Sequence, residues 1–257
     1  MASDKFNRVE LLVGNDAMQR LASTRVIIFG VGGVGSWAAE SLVRSGIGHI
    51  TLVDFDRVEE SNINRQLPAT TTTVGDVKVE VMAERLRQIN PDCDIVSIRQ
   101  FYTEATANEF NLEEYDYVID AIDSLRDKAL LIINATRCNR PKLFSSMGAA
   151  LKMDATAIDV AEFWKVQGCP LAAALRRKFK STGVYPAKKF KCIYSPELYQ
   201  NRGPQPVESD FEHNNSTDTT NLDNVKVKKA QINGTMAHTT AIFGFMLAGL
   251  VINDICR

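Results

Sequence analysis

The sequence predicts an α/β fold, a mainly parallel sheet with helices on both faces and an antiparallel extension in the second half. A β-branched apolar run, Arg25–Phe29, leads directly into a glycine-rich turn and then into a segment with helical spacing. Strand-like and helix-like segments continue to alternate as far as Ser146, which is typical of parallel strands joined by helical crossovers. Residues 154–160 then have the pattern of an antiparallel strand. Together these observations indicate a Rossmann-like architecture.

Length and composition fit one soluble domain. The chain has 257 residues, of which 45% are hydrophobic and 24% are charged, so it can bury a sizeable core. We expect a single domain over residues 1–257, with a nucleotide-binding core in residues 1–150 and a substrate-facing and closing segment in residues 151–257. The sequence does not begin with a secretory signal pattern, which predicts a cytoplasmic protein.

Cysteine spacing and net charge argue against two classes of protein. The five cysteines are widely spaced and form no C-x-x-C pair, so neither a disulfide framework nor a structural zinc site is predicted. The formal net charge of −1 argues against a uniformly basic nucleic-acid binder, although a local basic patch is compatible with it.

The glycine turn belongs to a strand–helix–strand unit. Gly30 permits the tight turn, Gly32 allows the backbone to approach phosphate oxygens, and Gly35 allows the helix to pack closely on the strand. The helix that begins at Ser36 offers free N–H groups to those phosphates. A second apolar run ends at Asp54, where an acid can bind ribose hydroxyls. The predicted nucleotide contacts of this unit are Gly30, Gly32, Gly33, Gly35, Ser36 and Asp54. On its own the motif favours a dinucleotide such as NAD, and a turn that binds nothing is the alternative.

The remaining elements follow from apolar spacing and from turn residues. A helical lead-in is predicted for residues 1–22. Further helices are predicted over residues 78–89, 105–110 and 125–138, and further strands over residues 93–99, 115–119 and 142–146. Residues 208–224 are polar and expected to be mobile. Residues 239–252 form an apolar run interrupted by glycines, which predicts a buried closing helix, with membrane-surface attachment as the less favoured alternative.

Charged residues at the end of the second predicted strand and after it favour a nucleoside triphosphate over NAD. Asp56 follows Asp54, Arg65 and Lys78 come next, and Asp123 follows the fourth predicted strand. Since the carboxyl ends of parallel strands share one edge of a sheet, we expect the glycine turn and these acids to meet there. An arginine and a lysine near the phosphates suit attack on the α-phosphorus, because charge develops on the α-phosphate and on the departing pyrophosphate. Asp123 is a natural Mg²⁺ ligand, since Mg²⁺ is bound by one or two carboxylates together with phosphate oxygens.

A basic segment without acids lies in the second half. Residues 163–196 contain eight lysines and arginines, from Lys165 to Lys191, and no aspartate or glutamate. Four aromatic residues are interleaved with them: Phe179, Tyr185, Phe190 and Tyr194. This composition suits contact with a phosphate backbone and with stacked bases. The alternative is an ordinary solvated helix face and loop.

Four stretches together resemble the adenylating domain of the ubiquitin-activating-enzyme-like superfamily, which includes the ThiF and molybdopterin-synthase adenylyltransferases. They are GVGGVGS, LVDFDRVEESNINRQ, VGDVK and DAIDS. The resemblance implies MgATP-dependent adenylation of a carboxylate, with Asp54 holding the ribose and Asp123 holding Mg²⁺. The phosphate contacts that it implies are Asn62, Arg65 and Lys78, with Asn64 and Gln66 in the same run. Arg8 matches a lead-in arginine that reaches into the partner's site in homodimeric members, so a homodimer and a catalytic role for Arg8 are also implied.

Other stretches closely resemble the tRNA threonylcarbamoyladenosine dehydratases, namely NRVELLVG, VMAERLRQINP, YVIDAIDS, PLAAALRRKFK and CIYSPE. This resemblance implies adenylation of the carboxylate of threonylcarbamoyladenosine in tRNA, followed by a cyclising dehydration, with the basic segment on the tRNA backbone. The sequence departs from the family at residues 147–150, where Met-Gly-Ala-Ala replaces a more glycine-rich turn. No enzyme nucleophile is required, and we expect Cys192 to be a buried structural thiol.

Two rival functions remain open at this point. The first is an adenylyltransferase that activates the C-terminus of a small sulfur-carrier or ubiquitin-like protein, which would make a carrier or sulfur-relay protein the partner. Such enzymes usually carry two C-x-x-C zinc pairs, and this sequence has none. The second is an NAD-binding or non-enzymatic Rossmann-like protein, against which the order of Arg65, Lys78 and Asp123 argues.

Overall fold

A computed structural model describes residues 4–204 and 233–257, and seven strands in that part of the chain form one sheet. The strands are β1 (Arg25–Phe29), β2 (His49–Val53), β3 (Asp94–Ile98), β4 (Tyr117–Asp120), β5 (Lys142–Ser146), β6 (Asp159–Glu162) and β7 (Lys191–Tyr194). Their order across the sheet is β3-β2-β1-β4-β5-β7-β6. Neighbouring strands are parallel except β6 and β7, which are antiparallel. The predicted fold class and its antiparallel extension are therefore confirmed.

Helices cover both faces of the sheet. In the described residues they are α1 (Asn7–Val13), α2 (Asn15–Ser23), α3 (Gly35–Arg44), α4 (Lys78–Ile89), α5 (Leu125–Arg137), α6 (Pro170–Thr182) and α7 (Ala237–Cys256). Because successive strand residues face opposite sides, β1 contributes to two separate cores. Val26 and Ile28 pack with α3, α4 and α7, whereas Ile27 and Phe29 pack with α5 and α6. Burial of β1 on both faces explains its continuous apolar sequence.

The lead-in and the stretch after β3 differ from the prediction. The predicted single lead-in helix is divided into α1 and α2 by Gly14, whose φ of +81° is incompatible with a continuous right-handed helix. Residues 105–110 hold only a 3-10 turn, Ala107–Glu109, instead of the predicted short helix.

The strand predicted over residues 154–160 begins later than expected. The Asp154 carboxylate accepts a hydrogen bond from the Thr156 N–H at 2.8 Å and caps a 3-10 turn, Ala155–Ala157. Aspartate commonly binds nearby backbone N–H groups in this way, which prevents an extended strand. β6 therefore starts at Asp159. The segment predicted to be mobile, residues 208–224, lies outside the described residues.

α7 packs against α3 along a close helix–helix contact. Among the described residues, α7 is the helix long and apolar enough by length and composition to cross a membrane, and half of its most apolar window is buried inside the molecule. A Cβ atom added at Gly244 would lie only 2.5 Å from the Val34 carbonyl oxygen at the start of α3. The rings of Trp37 and Phe245 also meet edge to face, with centroids 5.7 Å apart. This packing agrees with the predicted closing helix.

The sheet has a topological switch point between β1 and β4. The chain leaves β1 towards β2 and β3 and returns on the other side of β1 as β4. In open α/β sheets, ligands bind at such a point beyond the carboxyl ends of the strands. Gly30 follows β1 and Ala121 follows β4, and a Cβ on Gly30 would lie 2.7 Å from the Ala121 carbonyl oxygen. The two loops are thus in direct contact at the carboxyl edge of the sheet.

Candidate active site

The glycine turn has the geometry that the motif predicts. Gly30 has a φ of +89°, a conformation that favours glycine, and its N–H donates to the Val53 carbonyl at 2.8 Å. A Cβ at Gly35 would lie 1.9 Å from the Gly30 carbonyl oxygen, so no other residue fits there. The Ser36 hydroxyl donates to the Gly32 carbonyl at 2.6 Å, which braces the turn from the first turn of α3.

Asp54 lies directly beneath this turn. Its carboxylate accepts hydrogen bonds from the backbone N–H groups of Val31 at 2.7 Å and Asp56 at 2.9 Å. Asp54 is only 8% exposed, and this burial raises the pKa of its carboxyl group. The nearby Lys78 ammonium opposes that shift. Each carboxylate oxygen keeps lone-pair capacity beyond its backbone bond, so it can accept a further hydrogen bond from a ribose hydroxyl.

Lys78 is a buried cation at the head of a helix. It is the first residue of α4 and is 4% exposed. Its Nζ lies 2.7 Å from Asp56 Oδ2, and its backbone N–H donates to the Asp56 carbonyl at 3.1 Å. These two bonds fix the ammonium beside Asp54 and Asp56. A buried charge needs such compensation, because an unpaired ammonium in this position would be strongly disfavoured.

Arg65 lies beside the glycine turn. Its Cγ is 3.3 Å from the position that a Cβ on Gly33 would occupy. The guanidinium donates to the Ser61 carbonyl at 2.9 Å and to Asn64 Oδ1 at 2.7 Å. Burial lowers the pKa of Arg65, and the negative charges of Asp123 and Glu59 oppose that shift. The guanidinium stays charged in any case, since free arginine has a pKa above 12. The structure therefore brings Arg65 into the electrostatic range of Asp123.

The amides of the same run have different environments. Asn62 is buried, and its Oδ1 accepts the Glu59 N–H at 3.3 Å, so its side chain caps the 3-10 turn Glu60–Asn62. Asn64 donates to the Thr235 carbonyl at 2.9 Å, which ties this run to the segment before α7. The amide nitrogen of Gln66 lies 3.6 Å from a Cβ position on Gly32.

Gln66 carries an unsatisfied acceptor at the turn. Its Oε1 is buried and has no hydrogen-bond partner among the described residues. Buried polar atoms are nearly always paired, and an exception calls for an explanation such as a ligand. A bound donor group that reaches this oxygen would satisfy it.

A buried ion pair that sequence reasoning missed holds the loop that carries Asp123. Asp120 and Lys128 are both completely buried, with Oδ2 and Nζ 2.8 Å apart, and Asp120 Oδ2 also accepts from the Ser145 hydroxyl at 2.6 Å. Asp120 Oδ1 accepts the Ile122 N–H at 3.1 Å, and Lys128 Nζ donates to the Ile122 carbonyl at 3.0 Å. Both backbone groups of Ile122 are therefore fixed immediately before Asp123. The only sequence signal was the acid three residues before Asp123 in DAIDS.

Asp123 suits a metal ion that arrives with the nucleotide. It is exposed at the carboxyl edge, between Ile122 and the N-cap residue Ser124 of α5. Within residues 4–204 and 233–257, no group of three or more histidines, cysteines or acids could hold a metal alone. Mg²⁺ needs no such group when it also binds phosphate oxygens, because one or two carboxylates then suffice. The donor set therefore fits Mg²⁺ on a triphosphate.

Arg8 is not brought to this site within one chain. It is exposed on α1, and Lys5, three residues earlier, donates to Asn90 Oδ1 and Asp92 Oδ2 at 2.7 Å. These partners precede β3, so α1 lies at the amino ends of the strands, opposite the glycine turn. Arg8 can thus serve only the site of another copy, and its predicted role stays a prediction.

The basic segment is only partly available to a nucleic acid. The Arg176 guanidinium donates to the carbonyls of Phe163 at 3.1 Å and Val166 at 2.9 Å, so it braces the protein. The prediction that Phe179 and Phe190 stack on bases is wrong, because both rings are buried in the core. They pack around Phe163, which anchors α6 against the sheet.

Cys192 is the buried thiol that we expected. It lies in β7 with no exposed surface, and burial raises the pKa of its thiol. A thiol held in its neutral form is a poor nucleophile. Cys192 is therefore not a candidate nucleophile.

Comparison with known proteins agrees with this geometry. A model of the ThiF family matches residues 6–257. The chain is 37% identical over 254 residues to the tRNA threonylcarbamoyladenosine dehydratase of Bacillus subtilis, covering 98% of this chain and 95% of that protein. It is 44% identical over 198 residues to the Escherichia coli protein of the same name, covering 75% and 74% of the two chains. The crystal structure of the E. coli tRNA N6-threonylcarbamoyladenosine dehydratase in complex with ATP matches with a TM-score of 0.81 at 35% identity, covering 99% of this chain and 96% of that one. By sequence and by fold, this chain belongs to the ThiF family.

Proposed function

We propose that this protein catalyses the ATP-dependent dehydration of threonylcarbamoyladenosine in tRNA. The observation that carries the proposal is that Asp54 and Arg65 lie against the glycine turn and Lys78 lies beside Asp54 and Asp56, within a family whose similar members are dehydratases of this nucleoside. A triphosphate needs a backbone cradle, two cations and a carboxylate for its metal, and this edge of the sheet offers each of them.

Each group has a distinct role towards ATP. Asp54 accepts hydrogen bonds from the ribose hydroxyls, and the N–H groups at the start of α3 hold phosphate oxygens. Arg65 and Lys78 stabilise the charge that develops on the α-phosphate and on the departing pyrophosphate. Asp123 holds Mg²⁺, which neutralises phosphate charge when it is bound. Gln66 contributes its unpaired Oε1 to a donor of the nucleotide.

The reaction has two stages. A carboxylate oxygen of the threonylcarbamoyl group attacks the α-phosphorus, a new P–O bond forms, and the bond to pyrophosphate breaks. A nucleophile within the same group then attacks the activated carbonyl, loses its proton to solvent, and expels AMP with the former carboxylate oxygen. The nucleoside thereby loses one water in total. The ring closure is intramolecular, so proximity accelerates it once the carboxylate is activated.

The finer assembly belongs to the same proposal. A homodimer places Arg8 of one chain at the site of the other, the basic segment from Lys165 to Lys191 contacts the tRNA backbone, and the protein works in the cytoplasm. In this assembly tRNA is the macromolecular substrate.

Nucleoside mass spectrometry tests the proposal. Wild-type protein is incubated with MgATP and with tRNA that carries threonylcarbamoyladenosine, and we expect a loss of one water from that nucleoside. Arg65→Ala and Asp123→Ala should abolish the conversion. Arg126→Ala is the matched control, because Arg126 is three residues from Asp123 but is 70% exposed on α5 and should leave conversion intact.

The outcomes separate the rival functions. An unchanged nucleoside with ATP still bound would contradict the dehydratase proposal and favour adenylation of a carrier protein's C-terminus. A protein that binds NAD but not ATP would contradict adenylation altogether.

A further inference from the structure

A basic cleft lies at the sheet edge opposite the glycine turn. It has a volume of about 490 Å³ and is bordered by the starts of β5 and β7 and by the ends of α5 and α7. Six cationic side chains line it: Arg140, Lys142, Lys188, Lys189, Lys191 and Arg257. Lys142 is the first residue of β5 and Lys191 the first residue of β7, and the two strands are parallel. The cleft therefore lies at the amino edge of the sheet. The length of β5, about 13 Å, separates this edge from the carboxyl edge with the glycine turn.

Nearby acids offset only part of this charge. Asp254 lines the cleft and pairs with Lys142 at 2.6 Å, and Asp116 pairs with Arg140 at 2.8 Å. Glu113 accepts the backbone N–H groups of Asn139 and Arg140 at 2.8 and 3.0 Å. Three carboxylates thus face six cations in this part of the described structure.

The remaining cations differ in how firmly they are held. Lys188 donates to the Asn139 carbonyl at 3.0 Å and to the Cys138 carbonyl, so it caps the end of α5. Lys189 and Lys191 are exposed, and neither forms an ion pair within 4.0 Å among the described residues, while Asp254 attracts Lys191 at longer range. These two lysines are therefore the most available for a bound anion.

We infer that this cleft is a second binding site for the tRNA, one that holds backbone phosphates away from the nucleoside in the active site. Flexible, exposed lysines suit phosphate contacts, whereas the cores of protein–protein interfaces are depleted of lysine. The cleft also includes Arg140 and Lys142, which lie outside the basic segment seen in the sequence. The inference rests on the proposed function, because it takes tRNA to be the substrate.

A matched pair of double variants tests the site. Lys189→Glu/Lys191→Glu reverses two charges in the cleft, and Arg177→Glu/Lys180→Glu reverses two exposed charges on α6 in the same acid-free segment. Both variants change the net charge equally, so they differ only in location. The measured quantity is the Kd for tRNA carrying threonylcarbamoyladenosine as a function of salt concentration.

We expect the cleft variant to weaken tRNA binding by about tenfold or more at low salt and to lower the slope of log K against log salt by about 2. The α6 charges belong to the same basic segment but lie outside the cleft, so the α6 variant should weaken binding by a clearly smaller factor than the cleft variant. ATP affinity should stay at the wild-type value in both variants, because the nucleotide site lies at the other edge. In dehydration assays, the cleft variant should raise KM for tRNA and leave kcat unchanged.

Two results would overturn the inference. One is an unchanged tRNA affinity in the cleft variant, which would leave the cleft to an acidic protein or to capping of helix ends. The other is a larger loss in the α6 variant than in the cleft variant. A wild-type protein that neither binds nor converts this tRNA would instead contradict the proposed function, so the two failures are distinguishable.

Discussion

Substituting alanine for Gly244 should loosen the contact between α7 and α3. The added Cβ would lie 2.5 Å from the Val34 carbonyl oxygen, 2.7 Å from Trp37 Cβ and 2.9 Å from the Ala38 nitrogen. These are backbone atoms or the first atom of a side chain, so none of them can rotate out of the way. The two helices would have to move apart, and buried apolar contacts between them would be lost.

The same helix contains a matched control. A Cβ added at Gly249 would meet no atom within 4 Å, so Gly249→Ala changes helix propensity without crowding. Replacing a helical glycine by alanine contributes about 1 kcal/mol of stability. Overpacking a close contact costs about 1–3 kcal/mol, and contacts this short with backbone atoms belong at the upper end of that range. Gly244→Ala should therefore destabilise the protein by about 2 kcal/mol net, and Gly249→Ala should stabilise it by up to about 1 kcal/mol.

Thermal and urea unfolding of the two variants measure this difference. For a chain of this size, Tm shifts by about 2–4 °C per kcal/mol, so we expect a fall of about 4–8 °C for Gly244→Ala and a rise of about 2–4 °C for Gly249→Ala. Gly244→Ala should also weaken ATP binding, because Thr240 of α7 lies 3.4 Å from a Cβ position on Gly33. Equal Tm values for both variants would refute the close packing of α7 on α3.

Three further predictions concern buried charged or nucleophilic groups. Lys128→Met leaves the buried Asp120 without its partner and should lower the free energy of unfolding in urea by about 3–5 kcal/mol. A decrease below about 1 kcal/mol would show that water or another group replaces the ammonium. Burial raises the pKa of Glu40, but the hydrogen bonds from Arg85 and Arg44 have the larger effect, so the pKa of Glu40 is lowered. These hydrogen bonds therefore stabilise the fold above pH about 4.5, and their contribution is lost as the pH falls through the lowered pKa. Unfolding curves of Glu40→Gln and wild type should differ at pH 7 and converge at acid pH, and a constant difference would contradict the assignment. Cys192 should react with a thiol reagent only at the rate of unfolding, since burial raises its pKa and shields it, and rapid labelling of the native protein at this residue would contradict its burial.

The elements that the sequence predicted well are those whose signals are local. The strand before Gly30, the glycine turn and α3 follow one another within 20 residues, and each has its own pattern of apolar or small side chains. α4 begins at Lys78, as its apolar spacing predicted. β7 was missed because its four residues, KCIY, lie between basic stretches and carry little period-2 signal. Its place in the sheet depends on pairing with β5 and β6, which no local pattern records.

The site was predictable to a similar degree. Asp54, Lys78 and Arg65 were identified from their order along the chain. The structure places Asp54 and Arg65 against the glycine turn and Lys78 beside Asp54 and Asp56. The Asp120–Lys128 pair was not identified, because a charged side chain gives no sign in sequence that it is completely buried. The orientation of Gln66 towards the turn likewise depends on packing between loops that are distant in sequence.

The two cations at the turn are held in physically different ways, and this decides which of them tests catalysis. Lys78 is buried and lies beside two acids, the partly exposed Asp56 and the buried Asp54. Its removal would leave the Asp54 charge uncompensated and would affect folding as well as nucleotide binding. Arg65 donates its hydrogen bonds to neutral oxygens of Ser61 and Asn64, and no acid accepts a hydrogen bond from it among the described residues. Loss of the guanidinium would leave neutral acceptors and two exposed acids, Asp123 and Glu59, at the edge of the site, where water can replace it. A loss of activity in Arg65→Ala can therefore be read as lost stabilisation of the phosphates, whereas the same loss in a Lys78 variant would combine stability and chemistry.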